Sequence, residues 1–412
     1  MNETSNFSGL DQARFRNIDL FAPELKSDPV PFFSEWLREG LCYANISGTP
    51  SAVATRYHDV ATAFADHENL TNEKPRLAGW EKLDYFNGEL NIAFSDPPVH
   101  TRLRKTLAPL LLPSAIQRLE PKVVEIANQL LVKAGGNTLE VMSQLALPVA
   151  RNAVLGALLG LPEEDFAVFV ALTEEMFSLG DLPAGAGHPA SYKAAWAAAL
   201  SYIDDIVERE HMAPSHSPVG LLVDAHQRGV LTRGEIVAQL VTLYAGGTSP
   251  IATLIGSTML MLARHPDQLS LLRARPALLD AAIDEVLRYH SPGLFNFRFA
   301  RRDFNFNGLP VLEGMPVYIV GHAANFDSAI YSNPYKFDIL RERKPLLAFG
   351  RGIHFCIGFH TARMVTRAVI GVVLDSFRNF ALNDETPTIY TGNPQERAPV
   401  SITLKVERRN RP

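Results

Sequence analysis

The chain has 412 residues, 47% of them hydrophobic, and a formal net charge of −5 at pH 7. That is enough apolar material for one large core or two, and the acidic balance excludes a global nucleic-acid footprint. Two cysteines exclude a disulfide framework and fit a reducing compartment.

The first twenty residues are mostly polar, with Glu3, Asn6, Asp11 and Arg14 breaking any apolar run. Neither a signal peptide nor a membrane anchor is expected there, and the chain reads as cytoplasmic. From Pro29 to Gly40 the residues Phe32, Phe33, Trp36 and Leu37 recur at helical spacing, and Gly40 stops the helix. Two short strands are expected over 41–45 and 51–55 around the turn Gly48-Thr49-Pro50, followed by a helix over 58–65. Residues 69–90 have no clean period. The aromatics Trp80, Tyr85 and Phe86 there are either packing or the wall of a pocket.

At Asp96-Pro97-Pro98 the chain restarts as a helix. His100 and Arg104, four apart, share a face and can donate to one anion; the alternative is a solvated basic face. Helical patterns follow over 116–134, 141–159 and 162–178. A Gly, Pro and Ala-rich connection over 180–189 leads into an alanine-rich helix over 190–210.

Thr232-Arg233-Gly234-Glu235 reads as a capping box that starts the longest helix, running to about residue 265 and apolar nearly all round. Its middle, Ala245-Gly246-Gly247-Thr248-Ser249-Pro250, is weak as helix, because Pro250 removes a donor and crowds the carbonyl of Gly246. A kink here is either a close helix crossing or a groove for a ligand. Glu285 and Arg288 lie three apart on a helix over 277–290, which Pro292 ends. Strands are expected over 303–306 and 316–320, with turns at Asn307-Gly308 and Glu313-Gly314. Arg341-Glu342-Arg343-Lys344 is a basic knot, and the tail over 389–406 alternates like a strand with a turn at Gly392-Asn393-Pro394.

Between them lies Phe349-Gly350-Arg351-Gly352-Ile353-His354-Phe355-Cys356-Ile357-Gly358, a loop feeding a helix. Gly350 and Gly352 predict a tight turn whose N–H groups converge on the sulfur of Cys356. Such donors, with the N-terminus of the following helix, favour the thiolate. A thiolate here is a nucleophile or a metal ligand, unless Cys356 is simply a small buried hydrophobe. A zinc site needs more sulfur, and Cys42 stands alone.

The pattern Phe349-x-x-Gly352-x-His354-x-Cys356-x-Gly358 resembles the haem-binding loop of the cytochrome P450 family. His100-x-x-x-Arg104, the 245–250 segment and Glu285-x-x-Arg288 are similar to three further family motifs, in the family's order, and the resemblance spans roughly 19–406. It implies a mainly α fold with small β-sheets: a single domain over 19–412 after a flexible segment 1–18, with haem between the long central helix and the cysteine loop. It implies haem b, iron protoporphyrin IX, with Cys356 as axial thiolate, Phe349 packed beside it and Gly350 and Gly246 lining the cofactor. His100, Arg104, Arg298 and His354 are then propionate partners, and Glu285 with Arg288 a structural ion pair.

By the same resemblance the protein is a soluble bacterial-type monooxygenase, monomeric, with no membrane or nucleic-acid partner. A ferredoxin or flavodoxin with its reductase feeds it electrons, docking on Arg341, Arg343, Lys344, Arg351, Lys105 and Arg363. The substrate is small and largely apolar, aromatic or a natural product, in a pocket of Trp80, Leu83, Tyr85, Phe177, Leu294, Phe295 and Asn296. Two departures stand out. Thr248 occupies the place of the family's proton-delivering acid while Ser249 keeps the alcohol, and Phe326 replaces an arginine. The missing acid motivates a peroxide-dependent or oxidative-coupling variant as an alternative. A haem-based sensor is the alternative from another class.

Overall fold

The computed structural model describes residues 9–73, 84–178, 188–212, 218–383 and 385–409. Helices dominate, with small sheets between them. The chain forms two compact units, one from residues 9–71, 123–150 and 249–409, the other from the described residues of 72–122 and 151–248.

The first unit is built on a five-stranded sheet in the spatial order Cys42–Ile46, Thr49–Ala54, Pro316–Ile319, Asn296–Ala300, Leu70–Thr71. Its strands are apolar on both faces, and the period of two sends alternate residues to different cores. Tyr43, Ala52, Ala54, Val317 and Ile319 join one cluster with Val60, Phe64 and Leu309. Ala44, Val53 and Tyr318 join another with Phe33, Trp36 and Leu25. The helix Val30–Glu39 supplies Phe33 and Trp36 and stops at Gly40, whose φ is 69°. The hairpin turn falls at Ser47-Gly48, φ 50° and 81°, and Thr49 pairs with Ile46, so Thr49 and Pro50 belong to the strand. The expected turn is displaced because the left-handed pair there, Ser47 and Gly48, begins one residue before Gly48. Residues 9–18 are tied down by Arg16 N–H to the Tyr43 carbonyl at 2.8 Å and by burial of Ile18.

The first unit also holds a buried charge network. Arg288 grips Glu285 through Nε and Nη2, both at 2.8 Å, and donates to the carbonyls of Asn325 and Pro334. Arg341, expected on the surface, turns inward to Glu285 at 3.1 Å, because a carboxylate with 3% side-chain exposure needs more than one cation and a backbone N–H from Asp338. Phe326 is buried in this region. Its ring lies 5.2 Å from the Arg288 guanidinium, a cation–π contact, and packs on Phe33, Tyr289 and Tyr335.

In the second unit the capping box forms as read: Glu235 N–H donates to Thr232 Oγ1 at 2.9 Å and Thr232 N–H to Glu235 Oε2 at 3.0 Å. Arg102, on the helix Val99–Leu107, completes the pair with Glu235 and holds the Val230 carbonyl at 2.6 Å. Gln239 clamps the 90–92 segment from both ends of its amide. The helices Phe166–Phe177 and Ala190–Met212 pack together, with Tyr202 donating to Asp165 at 2.8 Å. The helix expected over 116–134 is broken into Pro113–Gln117 and Glu120–Ala134.

Replacing Glu285 with alanine leaves Arg288 and Arg341 uncompensated, and we expect a loss of about 3–5 kcal/mol, read as a lower urea midpoint at unchanged slope.

Candidate functional site

The cysteine loop follows the helix Tyr57–Ala65 in space, and two glycines let it do so. Gly350 and Gly352 have φ of 68° and 72°. A Cβ on Gly352 would lie 3.0 Å from both Ala65 Cα and the Phe64 carbonyl oxygen, so this position is doubly reserved for glycine. The turn is closed by Gly350 N–H to Leu347 O at 3.0 Å and Phe355 N–H to Gly352 O at 3.1 Å. The Cys356 N–H goes to the Phe349 carbonyl at 3.0 Å, and the helix Phe359–Ser376 begins three residues on, with Gly358 capping it. A Cβ on Gly358 would sit 3.9 Å from Cys356 Sγ. Cys356 is half-buried and in no disulfide; Phe349 stacks edge-on to Phe359 at 4.8 Å. The helix Phe359–Ser376 is apolar and long because Val365, Val369, Ile370 and Val373 are core residues.

The C-terminal end of the helix Tyr57–Ala65 receives Arg298. This side chain is 4% exposed and its Nη1 donates to the carbonyls of Ala63 at 2.9 Å and Asp66 at 3.4 Å, a cation at a helix C-terminus. His354 is half-buried in the turn Gly352–His354. In the second unit, His100 is buried and Arg104 half-buried on the helix Val99–Leu107. Within the first unit a thiol, an imidazole and a guanidinium have the chemistry that suits an iron porphyrin with an anionic edge. Among the described residues no group of three His, Cys, Asp or Glu is placed to hold a metal, so a multi-ligand zinc site has no donor set.

The long helix, Arg233–Arg264, carries Pro250 inside it. Its glycines divide the two readings of the weak segment between them. At Gly247 a Cβ would meet Val154 Cγ2 at 3.1 Å, a close crossing; at Gly246 it would meet nothing within 4 Å, an open face. Further on, Gly256 admits Met142 Sδ, 2.4 Å from a would-be Cβ. Thr248 Oγ1 is buried without a hydrogen-bond partner. Ser249 Oγ donates to Glu396 Oε2 at 3.3 Å. Sequence reasoning missed Glu396; the turn Gly392-Asn393-Pro394, two residues before it, was the only signal.

A second polar chain crosses this unit. Ser257 Oγ lies 3.0 Å from His290 Nδ1, and His290 Nε2 lies 3.1 Å from the Tyr390 hydroxyl. Burial holds both His290 and His322 well below the usual histidine value, with the Arg397 charge adding to it. Both are therefore neutral in the fold and must charge on unfolding at acid pH, so stability is complete above about pH 6.5 and falls as pH drops below it. We expect the thermal midpoint to fall on acidification from pH 6.5, with a shallower slope in His290→Asn.

Of the expected pocket residues, Trp80 and Leu83 lie outside the described residues. Tyr85 and Phe177 pack together, ring centroids 4.9 Å apart, with Phe86 at 6.4 Å from Phe177. Leu294 and Phe295 are core residues, Phe295 packing on Phe21 and Tyr318, while Asn296 is exposed at the start of its strand. The basic knot is also redistributed. Arg343 and Arg363 both bind Asp284, Lys344 binds Glu342, and Arg351 remains exposed along a cleft that Phe349 and Phe355 also line.

Gly352→Ala should cost about 1–3 kcal/mol through a forced left-handed conformation and backbone crowding, measured as a lower melting midpoint.

The sequence model described as Cytochrome P450 matches residues 39–275 and 271–403. The chain is 30% identical over 344 residues to Cytochrome P450 107B1 of Saccharopolyspora erythraea, covering 81% of this chain and 83% of that protein. It is 31% identical over 361 residues to the Vitamin D(3) 25-hydroxylase of Pseudonocardia autotrophica, covering 86% and 87%. The crystal structure of CalO2 superposes with a TM-score of 0.84 at 29% identity, covering 94% of this chain and 98% of that one.

Proposed function

The chain belongs to the cytochrome P450 family, whose members carry haem on a cysteine thiolate, and from that premise we propose that Cys356 ligates the iron of haem b in a dioxygen-dependent monooxygenase. The observation that carries this reading is the turn at Gly352. A backbone contact that crowds any Cβ fixes the loop, and the loop ends on the half-buried sulfur at the mouth of a helix. Gly358, with no side chain, keeps the flank of Sγ clear.

Bound haem supplies the activation of dioxygen, and an electron-rich thiolate favours cleavage of the O–O bond. The chain's own contributions are narrower. Cys356 holds the metal from one side; the helix N-terminus after Gly358 favours its ionised form. Arg298 and His354 near the cysteine loop are assigned as charge-assisted donors to the propionates, and His100 and Arg104 are assigned the same role on their family motif alone. Arg298 keeps one nitrogen on the helix carbonyls, so it meets an anion as a pre-oriented group. Gly246 leaves the long helix bare where a flat cofactor is to approach. Ser249 carries the hydroxyl for moving protons, with Thr248 beside it.

The substrate we assign is small and largely apolar, of natural-product type. The aromatic contact of Tyr85, Phe86 and Phe177 supports this, as does the similarity to a hydroxylase named for vitamin D(3). Electrons come from a ferredoxin or flavodoxin with its reductase, in a cytoplasmic, monomeric enzyme. Its docking surface rests on Arg351 at the cleft beside the cysteine loop, since Arg341 is committed to Glu285 and both Arg343 and Arg363 to Asp284.

Cys356→Ser should abolish the thiolate-type absorption of the ferrous carbonyl complex; an unchanged spectrum removes Cys356 as the ligand. Screening apolar compounds for a shift of the haem absorption then identifies the substrate class.

A further inference from the structure

We infer that Glu396 is the carboxyl that exchanges protons with Ser249 and so takes the place of the acid absent at Thr248. The inference rests on the monooxygenase reading. Nothing in the linear order of the chain joins these residues, which are 147 positions apart, yet Ser249 Oγ and Glu396 Oε2 are in hydrogen-bond contact at 3.3 Å.

The contact is not what holds the C-terminal segment in place. Gln395 gives its carbonyl to Leu294 N–H at 2.8 Å, and Arg397 gives its N–H to the Pro292 carbonyl at 2.8 Å, so the backbone on both sides of Glu396 is already fixed. The Arg397 guanidinium adds bonds to the carbonyls of Lys26 at 2.7 Å and Ser27 at 3.3 Å. The turn before it is locked by Asn393 Oδ1 accepting from Gln395 N–H at 3.0 Å. With the backbone held independently, the carboxyl is presented to Ser249 rather than hung from it.

The surroundings favour a carboxyl that can keep its proton. Burial raises the Glu396 value above that of an ordinary carboxyl, while the Ser249 hydrogen bond and the Lys26 ammonium pull it down and do not cancel the rise. Lys26 Nζ is already engaged with the Thr391 carbonyl. Arg397, the nearest guanidinium in the chain, points to the carbonyls just named. A hydroxyl can accept from one side while donating to the other. The protonated carboxyl hands its hydrogen to Ser249 Oγ as Ser249 releases its own to an acceptor oxygen. The carboxylate left behind is reprotonated from water. One proton moves, no electrons do, and Ser249 is unchanged.

Infrared spectroscopy of the haem-loaded protein across a pH series, in H₂O and D₂O, tests the storage step: the Glu396 carboxyl band should persist to higher pH than those of ordinary carboxyls. We expect a deuterium-sensitive carbonyl stretch of a protonated carboxyl in the native protein, lost in Glu396→Gln and shifted in Ser249→Ala. Reoxidation of the dithionite-reduced protein by dioxygen, which needs no substrate, tests the transfer step. Glu396→Gln should slow its proton-dependent part and diminish its solvent deuterium effect, on the order of 100-fold for a lost general acid, with partial recovery in Glu396→Asp. Equal band intensity in native and Glu396→Gln proteins, or equal reoxidation rates and isotope effects, overturns the inference. If Glu396→Gln does not fold, Ser249→Ala decides by the same two readouts. A native protein without the thiolate carbonyl spectrum sinks the functional reading instead, which separates the two failures.

Discussion

The structure turns on one place where two stretches of backbone touch. At Gly352 the cysteine loop lies against Phe64 O and Ala65 Cα at the end of the helix Tyr57–Ala65, so closely that a Cβ would sit 3.0 Å from both and force the backbone to give. Peptide groups this close cannot slide as side chains do, so the loop inherits its position from the helix, and the helix inherits its own from the five-stranded sheet whose core it shares through Val60 and Phe64. Arg298, on the strand Asn296–Ala300, reaches the same helix terminus and donates to the carbonyls of Ala63 and Asp66. Loop, helix and strand are thus indexed to one point, and the sulfur of Cys356 is set four residues beyond it.

Much of this was readable from residue types because the constraints are local. Left-handed glycines at positions 350 and 352, the stop at Gly40 and the reciprocal bonds of Thr232 and Glu235 all follow from chemistry within a few residues. What escaped was chemistry between distant segments. No pattern in the chain announces that Arg341 belongs to Glu285, or that Ser249 meets Glu396. Leu294 and Phe295 look like pocket residues in isolation, yet the segment before the strand Asn296–Ala300 turns them into the cluster around Phe33 and Trp36. The replacement of an arginine by Phe326 reads as a loss until Arg288 is found over its ring.

The long helix shows why neighbouring glycines need not share a purpose. Gly247 exists to admit Val154, a packing demand, whereas Gly246, one residue earlier and turned by roughly 100°, presents bare backbone. A motif of two small residues therefore combined a structural role and an open face, and sequence alone could not apportion them. Pro250 sits inside the same helix beside both hydroxyls, so the segment where the regular hydrogen-bond ladder loses a donor is also the segment carrying Thr248 and Ser249.

The two thiols of the chain are unequal. Cys42 is sealed into the sheet core beside Phe33 and Trp36, and burial pushes its value to about 11, so at neutral pH it stays protonated and shielded from reagents. Cys356 sits half-open at a helix start. An alkylating reagent applied to the folded protein accordingly has a single accessible target, and on the proposed ligation the fraction modified counts the molecules in which that sulfur is not bonded to iron. The fold thus carries its own gauge of cofactor loading, independent of colour and of turnover.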